Sequence, residues 1–195
     1  KGGPAYEVQI FDPDNNRRML FPGEVGEIGG RGAALMLGYF GDQKSTEGSF
    51  NRDGWFMSGD LGRLDAEGNL EIVGRLKDII IRGGRNILPA KIENLTIRHP
   101  LVEKAAAIAV SDPRLGEKVC LVVSCNSSAT PSPEEILGHL DKQGLSKYDM
   151  PEYFAIVNEF PLTASGKILK RELSQQVKQG LLSPLPVKFS VTCDN

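Results

Sequence analysis

The sequence predicts an α+β protein in which a small, β-barrel-like subdomain precedes an α+β domain with a small sheet and flanking helices. Three observations carry this prediction. Tyr6-Glu7-Val8-Gln9-Ile10-Phe11 alternates with the period of two that marks a half-buried strand. Gly23, Gly26, Gly29, Gly30 and Gly32 then punctuate Glu27-Ile28, a density that fits tight turns and bulges better than any helix. From residue 77 onward, short apolar runs alternate with amphipathic segments bracketed by Pro and Gly.

The elements follow in order. The first strand stops at Asp12-Pro13-Asp14-Asn15-Asn16, a cluster of turn formers. Asn51, Asp53 and Gly54 lead into Trp55-Phe56-Met57, and the turn Asp65–Asn69 into the strand Leu70-Glu71-Ile72-Val73. Ile79-Ile80-Ile81 reads as a short, fully apolar strand. Pro89 opens a helix, where its missing N–H costs nothing, and that helix must close before Pro100. Ala105–Val110 and Val119–Ser124 are two strands joined through Asp112-Pro113 and Gly116. Ser132-Pro133-Glu134-Glu135 is a capping box, and its helix runs to about Gln143 before Gly144. Phe154–Val157 is a strand, and a last helix is expected to start near Lys167. That helix sets Ile168, Leu169, Leu173 and Val177 on one face and ends at Gly180. The predicted domains are 1–76, 77–182 and a tail, 183–195.

Composition excludes several function classes. The 23 basic and 25 acidic residues of the 195 give a net charge of −2, so nothing favours nucleic acid or an anionic membrane. No apolar run approaches the ~20 residues of a membrane-spanning helix. Cys120, Cys125 and Cys193 make no disulfide framework and suit a reducing, cytoplasmic setting. His99 and His139 stand apart from any cysteine, which argues against a zinc site or a Ser-His-Asp triad; no metal site is expected. The chain starts at Lys1 without a signal-peptide pattern, so it is expected to begin inside something longer or to have been trimmed.

Three segments carry chemistry. In Ser58-Gly59-Asp60-Leu61, a carboxylate at a strand end can accept two hydrogen bonds from a ribose diol, or merely cap a local N–H. In Gly74-Arg75-Leu76-Lys77-Asp78, Arg75 can offer a planar fork to a ribose or phosphate oxygen; the alternative is a solvated charge run. In Pro161-Leu162-Thr163-Ala164-Ser165-Gly166-Lys167, a lysine at a helix start can stabilise charge on a phosphoryl group attacked by a carboxylate. It can also be one more cation beside Lys170, Arg171 and Lys178. The paired Gly83-Gly84 after a strand lets another backbone or a thin ligand pass close.

In this order, with Pro22–Ile28 and Leu37-Gly38-Tyr39-Phe40 ahead of them, these segments resemble the adenylate-forming superfamily. That superfamily comprises acyl- and aryl-CoA synthetases, the adenylation domains of peptide synthetases, and firefly luciferase. The resemblance runs from Pro22 to about Gly180. It implies that Asp60 and Arg75 hold the ribose of ATP, and that Lys77 is the hinge of a mobile C-terminal domain. It further implies that Lys167 is catalytic in forming acyl-AMP from a carboxylic acid and ATP. Rotation then brings Gly83, Gly84 and, by a weaker match, Tyr148 to the pantetheine path for thioester formation with CoA.

Asn86-Ile87-Leu88-Pro89 and Ile168–Leu173 resemble the acyl-CoA synthetase branch. A carrier-protein acceptor, or a non-catalytic module retaining the fold, are the alternatives. Two positions depart from the pattern. Lys91 stands where the family has Glu, with Glu93 kept, and Asp149 beside Tyr148 would repel CoA phosphates. The phosphate loop and the segment associated with Mg²⁺ lie upstream in such enzymes. The implied partners are therefore the missing N-terminal part of the same polypeptide and a small carboxylic acid, and the chain alone is expected to be inactive.

Overall fold

β1 (Tyr6–Asp12) turns at Pro13-Asp14 into β2 (Asn15–Met19), the first of several antiparallel pairings in the computed structural model, which describes residues 6–126 and 129–189. The chain divides into two compact units, Lys1–Lys77 and Asp78–Asn195. Cys193 lies outside the described residues.

In the first unit, β3 (Gly26–Gly32), β4 (Phe56–Leu64) and β5 (Leu70–Arg75) join β1 and β2 in one antiparallel sheet, ordered β2-β1-β3-β4-β5. Among the described residues β2 and β5 are its edges, so the barrel-like expectation resolves into an open sheet. All five residues of β2 are exposed, and a strand with no buried face leaves no alternation to read.

The glycine-dense stretch is itself the central strand, not a set of turns. A Cβ on Gly29 would enter the Phe11 ring, one on Gly30 the Tyr6 ring, and one on Gly26 the Phe11 carbonyl. Bare backbone thus lets two aromatic rings lie flat across the sheet. The core is small: Ile10, Phe11, Ile28, Trp55 and Leu61, with the Phe11 and Trp55 rings 5.4 Å apart. A short helix, α1 (Gln43–Gly48), is N-capped by Asp42, whose side chain accepts the Ser45 N–H at 2.9 Å.

The second unit opens with a hairpin, β6 (Ile80–Arg82) and β7 (Arg85–Ile87), closed by Gly83 and Gly84 at φ +56° and +82°. Two left-handed residues in succession define a tight turn whose twist matches its strands. The apolar run 79–81 is therefore half of a hairpin, and its middle face is open, with Ile81 54% exposed. After α2 (Pro89–Thr96), β8 (Val102–Asp112) and β9 (Gly116–Cys125) pair along their length, Ala107 opposite Leu121. α3 (Pro133–Lys142) carries both bonds of its capping box: Ser132 N–H to Glu135 Oε2 at 2.7 Å and Glu135 N–H to Ser132 Oγ at 3.1 Å. β10 (Tyr153–Ile156) adds parallel to β9.

β9 is buried on both faces. Val119, Leu121 and Val123 join Ile80, Ile87, Ile92, Ile136, Leu140 and Phe154 in one core. Cys120 and Val122 join Ala106, Ile108, Ala155, Phe160 and Leu173 in another, on the opposite face of the sheet. Fully burying each Val, Leu, Ile or Phe among them contributes about 1.5–3 kcal/mol.

Two expectations change at the end of the chain. α4 (Lys170–Lys178) begins three residues after Lys167, because Thr163–Lys167 closes a turn of its own first. Residues 185–189, expected within a tail, pack against the unit. Leu185 and Pro186 form β11 against β10, Val187 N–H donates to Glu152 O at 2.8 Å, and Val187 and Phe189 pack on the first core. No described helix is long and apolar enough to cross a membrane.

Candidate functional site

The first candidate group is built by two irregularities in the ladder of the first unit. Leu61 faces Glu27 and Met57 faces Gly29, so Ser58, Gly59 and Asp60 together oppose the single residue Ile28. The surplus bulges out of the sheet, and Gly59 takes φ +73° to allow it. Side chains take up the displaced amides: Gly59 N–H donates to Glu27 Oε1 at 3.0 Å and Asp60 N–H to Ser58 Oγ at 3.1 Å. On the other side Asp60 sits opposite Arg75, whose Nε donates to Asp60 Oδ1 at 2.7 Å. Both side chains reach solvent, Asp60 at 32% and Arg75 at 53% exposure. The two residues predicted to share a ligand are thus cross-strand neighbours, and carboxylate and guanidinium together offer acceptors and donors to a diol. Lys77 follows in a 3₁₀ turn, Leu76–Asp78, with its side chain exposed.

In the second unit Gly83, Gly84 and Tyr148 come together. Arg82 donates from one guanidinium nitrogen to Glu152 Oε1 at 2.6 Å and from the other to the Tyr148 carbonyl at 2.7 Å. Arg85 binds Asp149 Oδ1 at 2.7 Å and lies 5.6 Å from the Tyr148 ring centre. The two arginines flanking the glycines therefore clasp the 3₁₀ turn Lys147–Asp149. Tyr148 is 68% exposed, and Asp149 is paired with Arg85. That hydrogen bond raises the Arg85 pKa, and the charge of Asp149 adds to the effect. The hairpin tip is tied down a third time, by Gly83 N–H to Leu115 O at 2.8 Å.

Lys167 stands apart from this cluster. Its N–H donates to Thr163 Oγ1 at 3.0 Å and its carbonyl accepts Thr163 N–H at 2.8 Å, fixing an exposed loop. Among the described residues its ammonium makes no ion pair. It does not sit at a helix N-terminus, so the helix dipole lends it nothing. Lys170 does occupy the helix start, and it binds Glu93 Oε1 at 2.7 Å with Asp78 Oδ2 at 4.0 Å. Lys91 is exposed, and Glu93, two residues on, is the acidic residue that binds Lys170.

Motif reading missed Glu27, Arg82 and Glu152. A lone acidic residue inside a Gly-rich apolar strand was the available signal for Glu27. Arg82 and Glu152 are 70 positions apart, and neither spacing nor pattern joins them.

Comparison with known proteins gives a consistent picture. Residues 91–167 match the model of the AMP-binding enzyme C-terminal domain. Over 181 residues the chain is 37% identical to a medium-chain fatty-acid–CoA ligase of Escherichia coli, covering 92% of this chain and 32% of that protein. It is 40% identical to a mitochondrial medium-chain acyl-CoA ligase of Mus musculus, covering 91% of this chain and 29% of the relative. Among solved structures, ATP-bound MatB from Rhodopseudomonas palustris superposes with a TM-score of 0.83 at 34% identity, covering 90% of this chain and 34% of that one. The Bacillus subtilis o-succinylbenzoate CoA synthetase bound to its acyl-adenylate gives 0.79 at 34% identity, covering 87% and 34%. The chain thus spans about a third of the length of the curated relatives it matches.

Proposed function

This chain belongs to the adenylate-forming superfamily, on its acyl-CoA synthetase branch, and we propose that it supplies the nucleotide-holding and thiol-presenting residues of an AMP-forming carboxylate–CoA ligase. In the first half-reaction a carboxylate oxygen attacks the α-phosphorus of ATP. A C–O–P linkage forms, the bond to the β-phosphate breaks, and pyrophosphate leaves. Asp60 and Arg75 bind the ribose, and the Lys167 ammonium offsets negative charge developing on the phosphoryl oxygens. In the second, the sulfur of CoA attacks the acyl carbon, the bond to AMP breaks, and the thiol proton passes to solvent.

The observation that carries this reading is the anchoring of two tips to opposite faces of one sheet. The hairpin bearing Gly83 and Gly84 sends Ile80 and Ile87 into one core, while the Lys167 loop and α4 send Ile168 and Leu173 into the other. A unit built this way can offer either tip to a nucleotide by turning about Lys77. In the Gly83–Gly84 orientation, Tyr148 presents a flat ring beside Arg85 for stacking on an adenine. Mg²⁺, which the resemblance implies, finds no group of three or more His, Cys, Asp or Glu side chains able to hold it among the described residues. The acid, CoA as acceptor, and a cytoplasmic location belong to the same proposal.

Lys167→Ala in the complete polypeptide tests it. Acyl-AMP formation from acid and ATP is expected to fall by roughly 10²–10³, while supplied acyl-AMP is still converted to thioester. Survival of both half-reactions removes the role given to Lys167. Lys77→Pro should impair mainly thioester formation, and equal loss of both steps argues against a hinge there.

A further inference from the structure

We infer that Glu27 is a positioning residue for Asp60, setting how tightly and how selectively the ribose diol is held. The inference rests on the reading of Asp60 and Arg75 as ribose ligands. Its basis is the count across the β3–β4 ladder, where three residues of β4 oppose one of β3 between Glu27–Leu61 and Gly29–Met57. A bulge of this size takes the Gly59 amide out of the ladder. Gly59 is half-buried; an amide withdrawn from water without an acceptor is costly, and a backbone free to relax would let the bulge collapse in more than one way.

Glu27 supplies the acceptor from the neighbouring strand. Its residue is 8% exposed, and Oε1 lies 3.0 Å from Gly59 N. It is one of four buried polar or charged residues named among the described ones, with Asn51, Thr96 and Ser124, and it is the one that carries a carboxyl group. No ion pair to Glu27 occurs among the described residues, so its carboxyl group is spent on the bulge rather than on a cation. The bond fixes Gly59, and Gly59 fixes the φ/ψ entry into Asp60. From there the Asp60 carboxylate meets Arg75 at 2.7 Å on the following strand. Glu27 reaches the proposed diol only through Gly59 and Asp60; it is not itself a ligand.

The test uses the complete ligase polypeptide and calorimetric affinities for AMP and for 2′,3′-dideoxy-AMP. The unsubstituted protein is expected to prefer AMP, and Asp60→Ala to erase the preference. Glu27→Met, close in volume and without an acceptor, should reduce the preference roughly tenfold. Glu27→Gln, which keeps an oxygen at the same place, should restore most of it. In an Asp60→Ala background Glu27→Met should add nothing further, because its effect passes through Asp60.

If Glu27→Met leaves the preference intact while Asp60→Ala erases it, the inference is overturned and the ribose reading stands. If Asp60→Ala also leaves it intact, the ribose reading falls and takes the inference with it. Should Glu27→Met fail to fold, amide hydrogen exchange of Gly59 in the unsubstituted chain decides. Protection of this out-of-ladder amide is expected, and exchange at the rate of an open loop overturns the inference.

Discussion

The two units hold their chemical residues by opposite means. In the first, Asp60 and Arg75 are fixed by strand register, with a buried carboxylate behind them and bare glycine backbone alongside. In the second, Gly83, Gly84, Tyr148 and Lys167 ride on turns that ion pairs and short loops pin to a double-faced core. The cores differ in the same sense. The first unit buries five large apolar residues yet leaves Phe21, Leu37 and Phe40 exposed at 78%, 102% and 107%. The second packs both faces of β9 to near-complete burial. The contrast is between two residues fixed by strand register on a modest sheet and turns pinned to a body with a core on each face of its sheet.

Separating the units breaks the comparison most directly. Residues 78–189 alone should unfold in one cooperative urea transition, whereas residues 6–77 alone should show none by circular dichroism. A cooperative first unit would mean that its exposed apolar residues matter less than its sheet. Next in size, Leu121→Ala on β9 should cost about 2–5 kcal/mol of the second unit's stability in the same urea titration, since that side chain is fully buried.

A smaller contrast sharpens the point about clasps and ligands. Arg82→Ala should cost about 1–3 kcal/mol in thermal unfolding, because Glu152 and the Tyr148 carbonyl lose a charged donor. Arg75→Ala should cost under about 1 kcal/mol, since its pair with Asp60 is open to water. Comparable losses would erase the distinction between a clasp and a ligand.

The smallest effect concerns pH. The His99 and His139 rings meet edge to face at 5.1 Å, and His99 Nδ1 accepts the Leu101 N–H at 3.3 Å. Burial foremost, then the facing His139, holds the His99 pKa below its ordinary 6.5, with Glu135 opposing the shift. A depressed histidine binds fewer protons folded than unfolded. Its contribution is therefore present above pH 6.5 and is lost as pH falls through the lower folded value. The urea midpoint of the second unit should decline across that window, and His99→Gln should flatten the decline.

Local rules made much of the second unit legible. Pro89 at a helix start, the Ser132–Glu135 box and the Asp112-Pro113 turn each set one end of an element from neighbouring residues. Where neighbours do not decide, the reading shifted. Gly26, Gly29 and Gly30 look like turn residues until Tyr6 and Phe11 from another strand lie across them. Lys167 followed by Ile168 and Leu169 looks like a helix start. Its N–H donates to the Thr163 hydroxyl, which holds it in a loop, and Ile168 packs on the core without being helical. At the candidate site Asp60, Arg75, Gly83, Gly84 and Lys167 were readable as motifs, because each lies in a short run. Their supports, Glu27 and the pair Arg82–Glu152, depend on ladder counting and on contacts between distant segments.

β11 covers part of a sheet edge. Beyond β10 the sheet would end in an open row of backbone donors and acceptors, an invitation to pair with another copy of the chain. The two-residue strap Leu185–Pro186 pairs with Tyr153 and Phe154 in that row and ends in a proline, which has no N–H to offer a further strand. Cutting the chain before Leu185 would leave the catalytic candidates untouched and yet bare a sticky border along β10. Such a truncation is expected to lower solubility, which sedimentation at rising protein concentration reads.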